Sequence, residues 1–202
     1  MILQPVHTAL RDGTPVLIRE VEPEDADLLR LGFDHLSEQS RQFRFFGAIK
    51  VLSDEQIEYF TTRSDRDHVA IGAAVEEGAE LDPAGTARYV RLPHDPRCAE
   101  FALTVVDRHQ RQGLGALLLG VLARIACNNG IDHLVGYVMR RNRPMLNLME
   151  ALGAERRPGP EDDIFEMIVE VHDDPADYPE DSFDNMKRVA EENGISFPYL
   201  YD

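Results

Sequence analysis

The segment from Val105 to Ala116 joins the end of an apolar strand, a polar loop with two glycines and the start of an apolar helix. Its loop reads Gln110-x-x-Gly113-x-Gly115. Glycines let the main chain approach a ligand closely, and the free N–H groups at a helix start carry the positive end of the helix dipole. The pattern therefore predicts a cradle for an anion, residues 110–116, and a pyrophosphate is the expected guest.

A carboxylate lies on the strand that leads into the cradle. Glu100 occurs within the apolar run from Cys98 to Val106, where strand alternation places Phe101 on the opposite face. Burial among apolar neighbours would raise the proton affinity of this carboxylate, which suits a general base that works near neutral pH. The alternative interpretation is a solvent-facing strand residue, or a partner for a nearby arginine such as Arg88 or Arg91.

The composition narrows the class of protein. With 202 residues, 43% of them hydrophobic, the chain can bury one substantial core, and we expect one domain with an extension. No apolar run reaches the roughly 20 residues of a membrane-spanning helix, so we expect a soluble, cytoplasmic protein without membrane contact. Cys98, Cys127 and the histidines lack the spacing of metal or redox motifs, so neither a disulfide nor a metal site is predicted.

The net charge of −16 is concentrated near the C-terminal end. Residues 161–202 hold 14 acidic side chains against Lys187 and Arg188, which leaves a net charge of only −4 on the first 160 residues. The main part of the chain therefore has an ordinary charge balance. Because nucleic-acid binding needs a basic surface, nucleic acid is not an expected partner.

One strand followed by helices is expected in the opening third. Thr14 to Glu20 has the composition of a strand, and Glu22-Pro23-Glu24-Asp25 places proline and acids in an expected first helical turn. A short helix is predicted from Ser40 to Phe46. A third helix is predicted to begin after Ser53, which forms a capping-box pattern with Gln56.

Strands dominate the middle of the chain, and strands and helices alternate after the cradle. The three middle strands are predicted to be antiparallel. The predicted elements are strands at Asp67–Glu76, Thr86–Leu92 and Cys98–Val106, a helix from Leu114 to the stop at Asn128-Asn129-Gly130, a strand at Leu134–Met139, a helix from Met145 to Leu152 and a last strand at Ile164–Val171. The order is β-α-α-α-β-β-β-α-β-α-β, which indicates a mixed α/β fold.

The cradle between its strand and its helix, together with the segment from Asn142 to Gly153, resembles the GNAT superfamily of acyl-CoA-dependent N-acetyltransferases, whose signature loop is Q/R-x-x-G-x-G/A. Within it, Ser40-Arg41-x-Phe43-Arg44-Phe45-Phe46 and Ala99-Glu100-Phe101-Ala102 are similar to the Pat-like branch of protein lysine acetyltransferases. The resemblance covers Val16 to Val171. It implies a mostly antiparallel central sheet that is splayed at the acyl-CoA site and flanked by helices.

The resemblance also implies where acetyl-CoA, the acyl donor, binds. The backbone amides of the cradle would hold the pyrophosphate, the preceding strand would pair with the pantetheine arm, and Asn142 would contact the coenzyme from the facing helix. Arg108 and Arg111 either add charge near the phosphates or are solvated loop residues. The implied coenzyme-binding residues are Val105, Val106, Gln110, Arg111, Gln112, Gly113, Leu114, Gly115, Ala116 and Asn142.

Acetyl transfer requires a neutral amine, whereas a free lysine is almost fully protonated at neutral pH. The Pat-like branch carries a glutamate in its Ala-Glu-Phe segment, so the resemblance assigns the catalytic general base to Glu100. Many GNAT enzymes place a proton-donating tyrosine seven positions after the asparagine. Here that position is Met149, and the general acid is unassigned. Phe43, Phe45 and Phe46 either cover the acceptor site or have a packing role.

Residues 173–202 depart from this pattern. Tyr178-Pro-Glu-Asp-Ser182 and Phe197-Pro-Tyr-Leu-Tyr-Asp202 resemble a fragment of a thioredoxin/peroxiredoxin-like protein, but the redox cysteines and following strands of that family are missing. We therefore expect a GNAT domain over residues 1–172 and an acidic extension with one helix, Ser182–Asn193. The extension docks on the core, mediates a homodimer or reflects an unusual gene boundary, and the sequence leaves these alternatives open.

Three functions follow as hypotheses. The first is transfer of an acetyl group from acetyl-CoA to a protein lysine side chain by direct attack, with Glu100 as general base. The second is acetylation of a small amine, which the same fold could perform with a different acceptor pocket. The third is a noncatalytic acyl-CoA-binding module that regulates a partner, which applies if Glu100 faces away from the acyl group.

Overall fold

One mixed sheet of eight strands organises the protein. The structure is a computed structural model, and it describes residues 5–10, 12–77 and 80–172. The strands are β1 (Val6–Ala9), β2 (Pro15–Glu20), β3 (His68–Glu77), β4 (Glu80–Leu92), β5 (Asp95–Val105), β6 (His133–Met139), β7 (Glu155–Pro158) and β8 (Ile164–Glu170). Their order across the sheet is β1-β2-β3-β4-β5-β6-β8-β7. Within it, only β5 and β6 pair in parallel, which confirms the expected mostly antiparallel sheet.

Helices cover both faces of this sheet. They are α1 (Ala26–Asp34), α2 (Glu38–Phe45), α3 (Asp54–Phe60), α4 (Leu114–Asn128) and α5 (Arg143–Ala151). α4 and α5 pack on one face, against sheet residues such as Ile71 and Tyr89. The other face carries α1, α2 and α3, where Phe33 packs with Val106. None of the helices that the structure describes is long and apolar enough to cross a membrane.

β5 and β6 diverge immediately after Glu100. β5 continues beside β4 as far as Val105, while β6 continues beside β8 as far as Met139. The two strands therefore leave a gap, bounded by residues 101–105 of β5 and 136–139 of β6. Their pairing consists of Cys98 with His133, Ala99 with Leu134 and Glu100 with Val135.

An aromatic ring packed against a glycine accompanies this divergence. Phe101 is 4% exposed and belongs to the core under α4 and α5. A Cβ atom added at Gly136 would lie 2.5 Å from Cε1 of Phe101, which is closer than non-bonded carbon atoms approach. The ring therefore occupies the space that a side chain on β6 would fill, and the absence of a side chain at Gly136 lets β6 lie beside it.

The predicted order of elements is confirmed, with two strands added. β1 and β7 have four residues each, and they form the two outer edges of the sheet. β7 reads Glu-Arg-Arg-Pro and is exposed along its whole length, so it lacks the alternation that identifies a half-buried strand. Each of these strands forms by pairing with a longer neighbouring strand, β1 with β2 and β7 with β8. The local sequence does not predict such pairing.

The observed helix N-caps agree with the sequence-based predictions more closely than the edge strands do. α2 begins earlier than the expected Ser40, because Ser37 is its N-cap and accepts a hydrogen bond from the N–H of Ser40 at 3.2 Å. The predicted capping box of α3 is confirmed, with Oγ of Ser53 accepting from the N–H of Gln56 at 3.2 Å and the reverse bond at 2.9 Å.

The acidic extension, residues 173–202 with its predicted helix Ser182–Asn193, lies outside the described residues. The division of the chain into a domain and an extension therefore stays a prediction.

Replacement of Gly136 by alanine is expected to lower the free energy of unfolding by about 1–3 kcal/mol, because the added methyl group overpacks the core at the Phe101 ring. Thermal unfolding followed by circular dichroism should show a decrease of roughly 2–4 °C in Tm for each kcal/mol lost. Gly47→Ala is the matched control, because its added Cβ would meet no atom closer than 3.8 Å. Equal Tm values for the two variants would contradict the close Phe101–Gly136 contact.

Candidate functional site

The edge of β5 offers main-chain groups to the gap. The N–H of Val106 donates to the carbonyl of Ala84 at 2.8 Å on the β4 side. Alternation along a strand therefore directs the main-chain groups of Val105 and Leu103 to the opposite side, toward the gap. The carbonyl of Val105 accepts a hydrogen bond from Nε2 of Gln110 at 3.0 Å. The N–H of Val105 has no acceptor in the described part of the chain, so it is a free donor at the gap.

Val106 differs from the expected contact with a pantetheine arm. Both of its main-chain polar groups are already bonded, the N–H to Ala84 and the carbonyl to the N–H of His109 at 2.8 Å. Its side chain is 3% exposed and packs with Phe33 under the helices. The structure therefore does not support the expected backbone contact from Val106, because alternation turns Val106 away from the gap. Val105 keeps a main-chain N–H directed toward it.

The cradle has five unoccupied hydrogen-bond donors. Arg111 (φ 66°) and Gly113 (φ 91°) adopt left-handed backbone conformations, and α4 begins at Leu114. The N–H groups of residues 112–116 donate no hydrogen bond to any residue that the structure describes. Because they lie at the start of a 15-residue helix, they share the positive end of its dipole. This geometry suits a phosphate group.

Gly115 allows the first turn of α4 to lie between β5 and α5. A Cβ atom at this position would lie 3.3 Å from Cδ2 of Leu148 on α5 and 3.6 Å from Cδ2 of Leu103 on β5. A side chain at Gly115 would therefore press on Leu148, and one of the two elements would have to shift by a few tenths of an ångström. Gly115 therefore permits close packing, whereas Gly113 permits the left-handed backbone conformation of the loop.

Asp107 fastens α2 to the loop before the cradle. Its carboxylate accepts hydrogen bonds from the N–H of Ser37 at 2.9 Å and from the Oγ atoms of Ser37 at 2.6 Å and Ser40 at 2.9 Å. Burial alone would raise the pKa of Asp107, but the hydrogen bonds from Ser37 and Ser40 outweigh it and hold the pKa below its ordinary value. Nε2 of Gln110 adds a link to Oγ of Ser40 at 3.3 Å. The charged carboxylate therefore ties the helix to the cradle.

The two arginines near the cradle have different surroundings. Arg108 forms an ion pair with Asp82 on β4 and donates to Nε2 of His109 at 3.0 Å. Arg111 is exposed and forms no ion pair with a described residue. Of the two, Arg111 is the one whose charge is available to a ligand in the cradle.

Two features of this region were not predicted from the sequence. The anchoring role of Asp107 depends on serines that lie 67 and 70 residues earlier in the chain, so only the position of Asp107 directly after the strand signalled it. The second feature is a basic turn formed by Arg140, Arg141 and Arg143, all exposed, which follows β6. Because β5 and β6 are parallel, this turn lies at the same end of the sheet as the cradle. The run Arg-Arg-Asn-Arg was its visible signal.

Asn142 is the N-cap of α5. Its Oδ1 accepts a hydrogen bond from the N–H of Met145 at 3.3 Å. Its side-chain NH2 donates no hydrogen bond to a described residue, so that group is available to a ligand. Met149, at the position of the usual tyrosine, is fully buried in the core, and it supplies no proton donor.

Glu100 lies where β5 and β6 separate, and it is the last residue of β5 that pairs with β6. Its expected burial among apolar neighbours is wrong, because its side chain is exposed. The neighbours Ala99 and Phe101 are 0% and 4% exposed, since alternation turns them to the other face of the sheet. Glu100 forms no ion pair within 4 Å with any described residue. Its carboxylate is therefore open to a molecule that enters the head of the gap, the end at which β5 and β6 separate.

A pocket lies between the sheet and the helices α1 to α3. Arg44 of α2 and Arg88 of β4 line it, together with Thr86, Thr104 and apolar side chains. It occupies the same face of the sheet as Glu100, because Glu100 pairs with Val90, two residues from Arg88 on β4.

Phe45 at the end of α2 and Phe46 directly after it have different surroundings. Phe45 packs against Phe33, with 5.7 Å between ring centres, and against Phe60 at 6.2 Å. Phe46, directly after α2, has a left-handed backbone and is 42% exposed. The structure therefore gives Phe45 a packing role and leaves Phe46 at the surface.

The described residues contain no disulfide and no cluster of metal ligands, and the Cys98 thiol is unreactive. Burial and a hydrogen bond to Asp95 raise the pKa of the Cys98 thiol to about 11, so it is not a nucleophile at neutral pH. Cys98 and Cys127 are not joined in a disulfide. No cluster of three metal-ligating side chains occurs within this part of the chain.

Comparisons with known proteins agree with this geometry. The model of the acetyltransferase (GNAT) family matches residues 34–154. Acetyltransferase PA5475 from Pseudomonas aeruginosa is 34% identical over 154 residues, which cover 76% of this chain and 82% of that protein. Acetyltransferase Pat from Mycolicibacterium smegmatis is 29% identical over 75% of this chain, which spans only 45% of that longer protein. The crystal structure of the GNAT domain of S. lividans PAT superposes with a TM-score of 0.75 at 26% identity, covering 82% of this chain and 96% of that one. The chain therefore belongs to the GNAT acetyltransferase family.

Proposed function

We propose that the protein transfers an acetyl group from acetyl-CoA to a lysine side chain of another protein, with Glu100 as general base. Family membership supplies the reaction class and the donor. The observation that carries the proposal is the row of five free N–H groups at residues 112–116, at the end of the gap between β5 and β6. A coenzyme with a pyrophosphate and a peptide-like arm requires a phosphate site beside an open strand edge.

The donor would bind through main-chain groups first. The N–H groups of residues 112–116 would hold the pyrophosphate, and the N–H of Val105 would bond the pantetheine arm. Arg111 and the side-chain NH2 of Asn142 are free to add contacts from the two sides of the site. Because most of these donors belong to the backbone, the cradle depends on chain conformation more than on the identity of its side chains.

The reaction then requires that the acceptor nitrogen lose two protons and that a C–N bond replace the C–S bond of the thioester. Glu100 would take a proton from the acceptor ammonium, directly or through one water molecule. The neutral amine would attack the thioester carbonyl, a C–N bond would form, and the C–S bond would break with coenzyme A leaving as thiolate. The attacking nitrogen would lose its second proton as the amide forms, and the thiolate would take up a proton from solvent. Alignment of amine and thioester contributes most of the remaining acceleration, and proximity effects of this kind reach roughly 7–11 kcal/mol at most.

The exposed position of Glu100 supports a protein as the acceptor. A lysine side chain on the surface of another protein can reach an open carboxylate, whereas a deeply buried base would be accessible only to a small molecule. The same openness argues against a noncatalytic module, because the carboxylate faces the head of the gap. Acetylation of a small amine is the second candidate function, and the pocket between the sheet and α1 to α3 favours it.

Gly113→Ala is expected to weaken coenzyme A binding by about 10-fold, because a left-handed alanine costs roughly 1–2 kcal/mol and the loop relaxes by turning its N–H groups away. Isothermal titration calorimetry with coenzyme A measures this loss. Gly130→Ala is the control, because Gly130 (φ 76°) ends the same helix in the same backbone region, far from the cradle. Equal affinities of the two variants would rule out the cradle as the pyrophosphate site.

Glu100→Gln is expected to lower kcat by about 10²–10⁴-fold, because it removes the general base, while the Kd for coenzyme A stays unchanged. Steady-state acetylation of a lysine peptide measures kcat, and calorimetry measures Kd. Glu170→Gln on β8 is the control, because Glu170 is an exposed carboxylate of the same sheet away from the gap. Full activity of Glu100→Gln would remove Glu100 from the mechanism.

The acceptor class is tested with two panels of substrates, purified proteins and small amines, incubated with acetyl-CoA. Mass spectrometry is expected to detect acetyl-lysine in at least one protein with the wild-type chain, formed about 10²–10⁴-fold more slowly with Glu100→Gln. Turnover confined to the small amines would contradict the protein-lysine proposal and support the second candidate.

A further inference from the structure

Two arginines converge in the pocket between the sheet and the helices. Arg44 comes from α2 and Arg88 from β4, and both line the same pocket. Neither forms an ion pair within 4 Å with any residue that the structure describes. Two guanidinium groups in a partly apolar pocket without a carboxylate partner form an arrangement that an anion would stabilise.

Arg88 packs against two aromatic rings and has an unused donor. It is 9% exposed, and its guanidinium lies 4.2 Å from the ring centre of Tyr59 and 5.2 Å from that of Phe60. Its Nη2 bonds Nε2 of His68 at 2.6 Å. Burial first, and then the charge of Arg88, lower the pKa of His68, so its neutral ring accepts this bond. Nη1 of Arg88 is buried and has no partner among the described residues.

Arg44 stands beside this group on the helix side. Its guanidinium lies 5.2 Å from the ring centre of Phe45 and 5.8 Å from that of Phe60. Removal from water, and then the like charge of Arg88, lower the pKa of Arg44 to about 10, while the charge of Glu100 opposes both effects. The two guanidinium groups therefore repel each other. An anion bound between them would replace this repulsion by two charge-assisted hydrogen bonds.

Glu100 does not fill this role. Its charge acts on both arginines, but its side chain is exposed and lies beyond ion-pair distance of each. The face therefore carries a carboxylate at the head of the gap and a pair of cations in the neighbouring pocket. A molecule that has an ammonium group and a carboxylate complements both ends.

We propose that Arg44 and Arg88 bind a carboxylate carried by the acceptor close to the amine that is acetylated. The inference rests on the proposed function and deepens it, because it names an amine with a neighbouring anionic group as the substrate class. The carboxylate can belong to a free amino-carboxylate or to an acidic residue beside a lysine. These two sources share the chemistry that the arginines recognise.

Matched acceptor pairs test the proposal. One pair is a lysine peptide with glutamate or glutamine beside the lysine, and the other is a small amino-carboxylate and its carboxamide. In at least one pair, the wild-type chain should prefer the carboxylate member by about 10-fold or more in kcat/KM, chiefly through KM. The pair that shows the preference identifies the source. Equal kcat/KM values within both pairs would overturn the inference.

Arg88→Met and Arg44→Met should abolish this preference by lowering kcat/KM for the carboxylate acceptor to the value for its uncharged counterpart, while the Kd for coenzyme A stays unchanged. Because Arg88 is buried and its replacement could disturb the fold, Arg44→Met provides a second variant at a half-buried position. Arg30→Met on α1 is the control, because Arg30 pairs with Asp54 and does not line the pocket. Preference retained in both pocket variants would contradict the inference.

Calorimetric titration of the coenzyme-loaded protein with the carboxylate acceptors gives a readout without turnover. Binding by the wild-type chain that is lost in Arg44→Met would support the inference even if no amine were acetylated, a result that would contradict only the proposed function. If neither carboxylate acceptor binds to the wild-type chain, the inference is overturned.

Discussion

The separation of β5 from β6 after Glu100 determines where the parts of the site lie. The two strands pair for three residues and then follow different partners, β4 on one side and β8 on the other. The Phe101 ring occupies the space beside Gly136 on β6. A continuous sheet would bury every main-chain group of β5 in its ladders. The gap instead leaves the N–H of Val105 free and places Glu100 at the point where the strands part.

The position of the cradle follows from the same geometry. β5 leads directly into the loop of residues 106–113, so the free N–H groups of α4 lie at the open end of the gap. Asp107 and Gln110 connect this loop to Ser37 and Ser40 of α2. The helix that contributes Arg44 to the pocket proposed for the acceptor is therefore tied to the loop proposed for the donor. One network of hydrogen bonds thus links α2 to the cradle loop.

The parts of the site that depend on local chain conformation could be predicted from the sequence. Gly113 of the cradle and the capping box at Ser53 and Gln56 act through the local backbone and neighbours within a few residues, so their spacing reveals them. Strand β7 could not be identified in this way, because its exposed Glu-Arg-Arg-Pro sequence forms a strand only beside β8.

Side-chain environments set by distant residues were harder to predict. Glu100 was expected to be buried because its sequence neighbours are apolar, but those neighbours belong to the opposite face of the sheet. Arg44 and Arg88 line the same pocket, although they come from a helix and a strand that are far apart in the chain. No spacing in the sequence predicts that they lie close together. Asp107 likewise bonds to Ser37, the N-cap of a helix that lies 70 residues earlier.

Nuclear magnetic resonance of the backbone amides during a coenzyme A titration can show whether the cradle holds the pyrophosphate. If the pyrophosphate binds to the free donors of the cradle, the amide resonances of residues 112–116 should shift together, and their hydrogen exchange should slow, because each N–H gains an acceptor. The amide of Gly130 at the far end of α4 should change little. Coenzyme A binding at full affinity with no shift or added protection at residues 112–116 would contradict the assignment of the cradle.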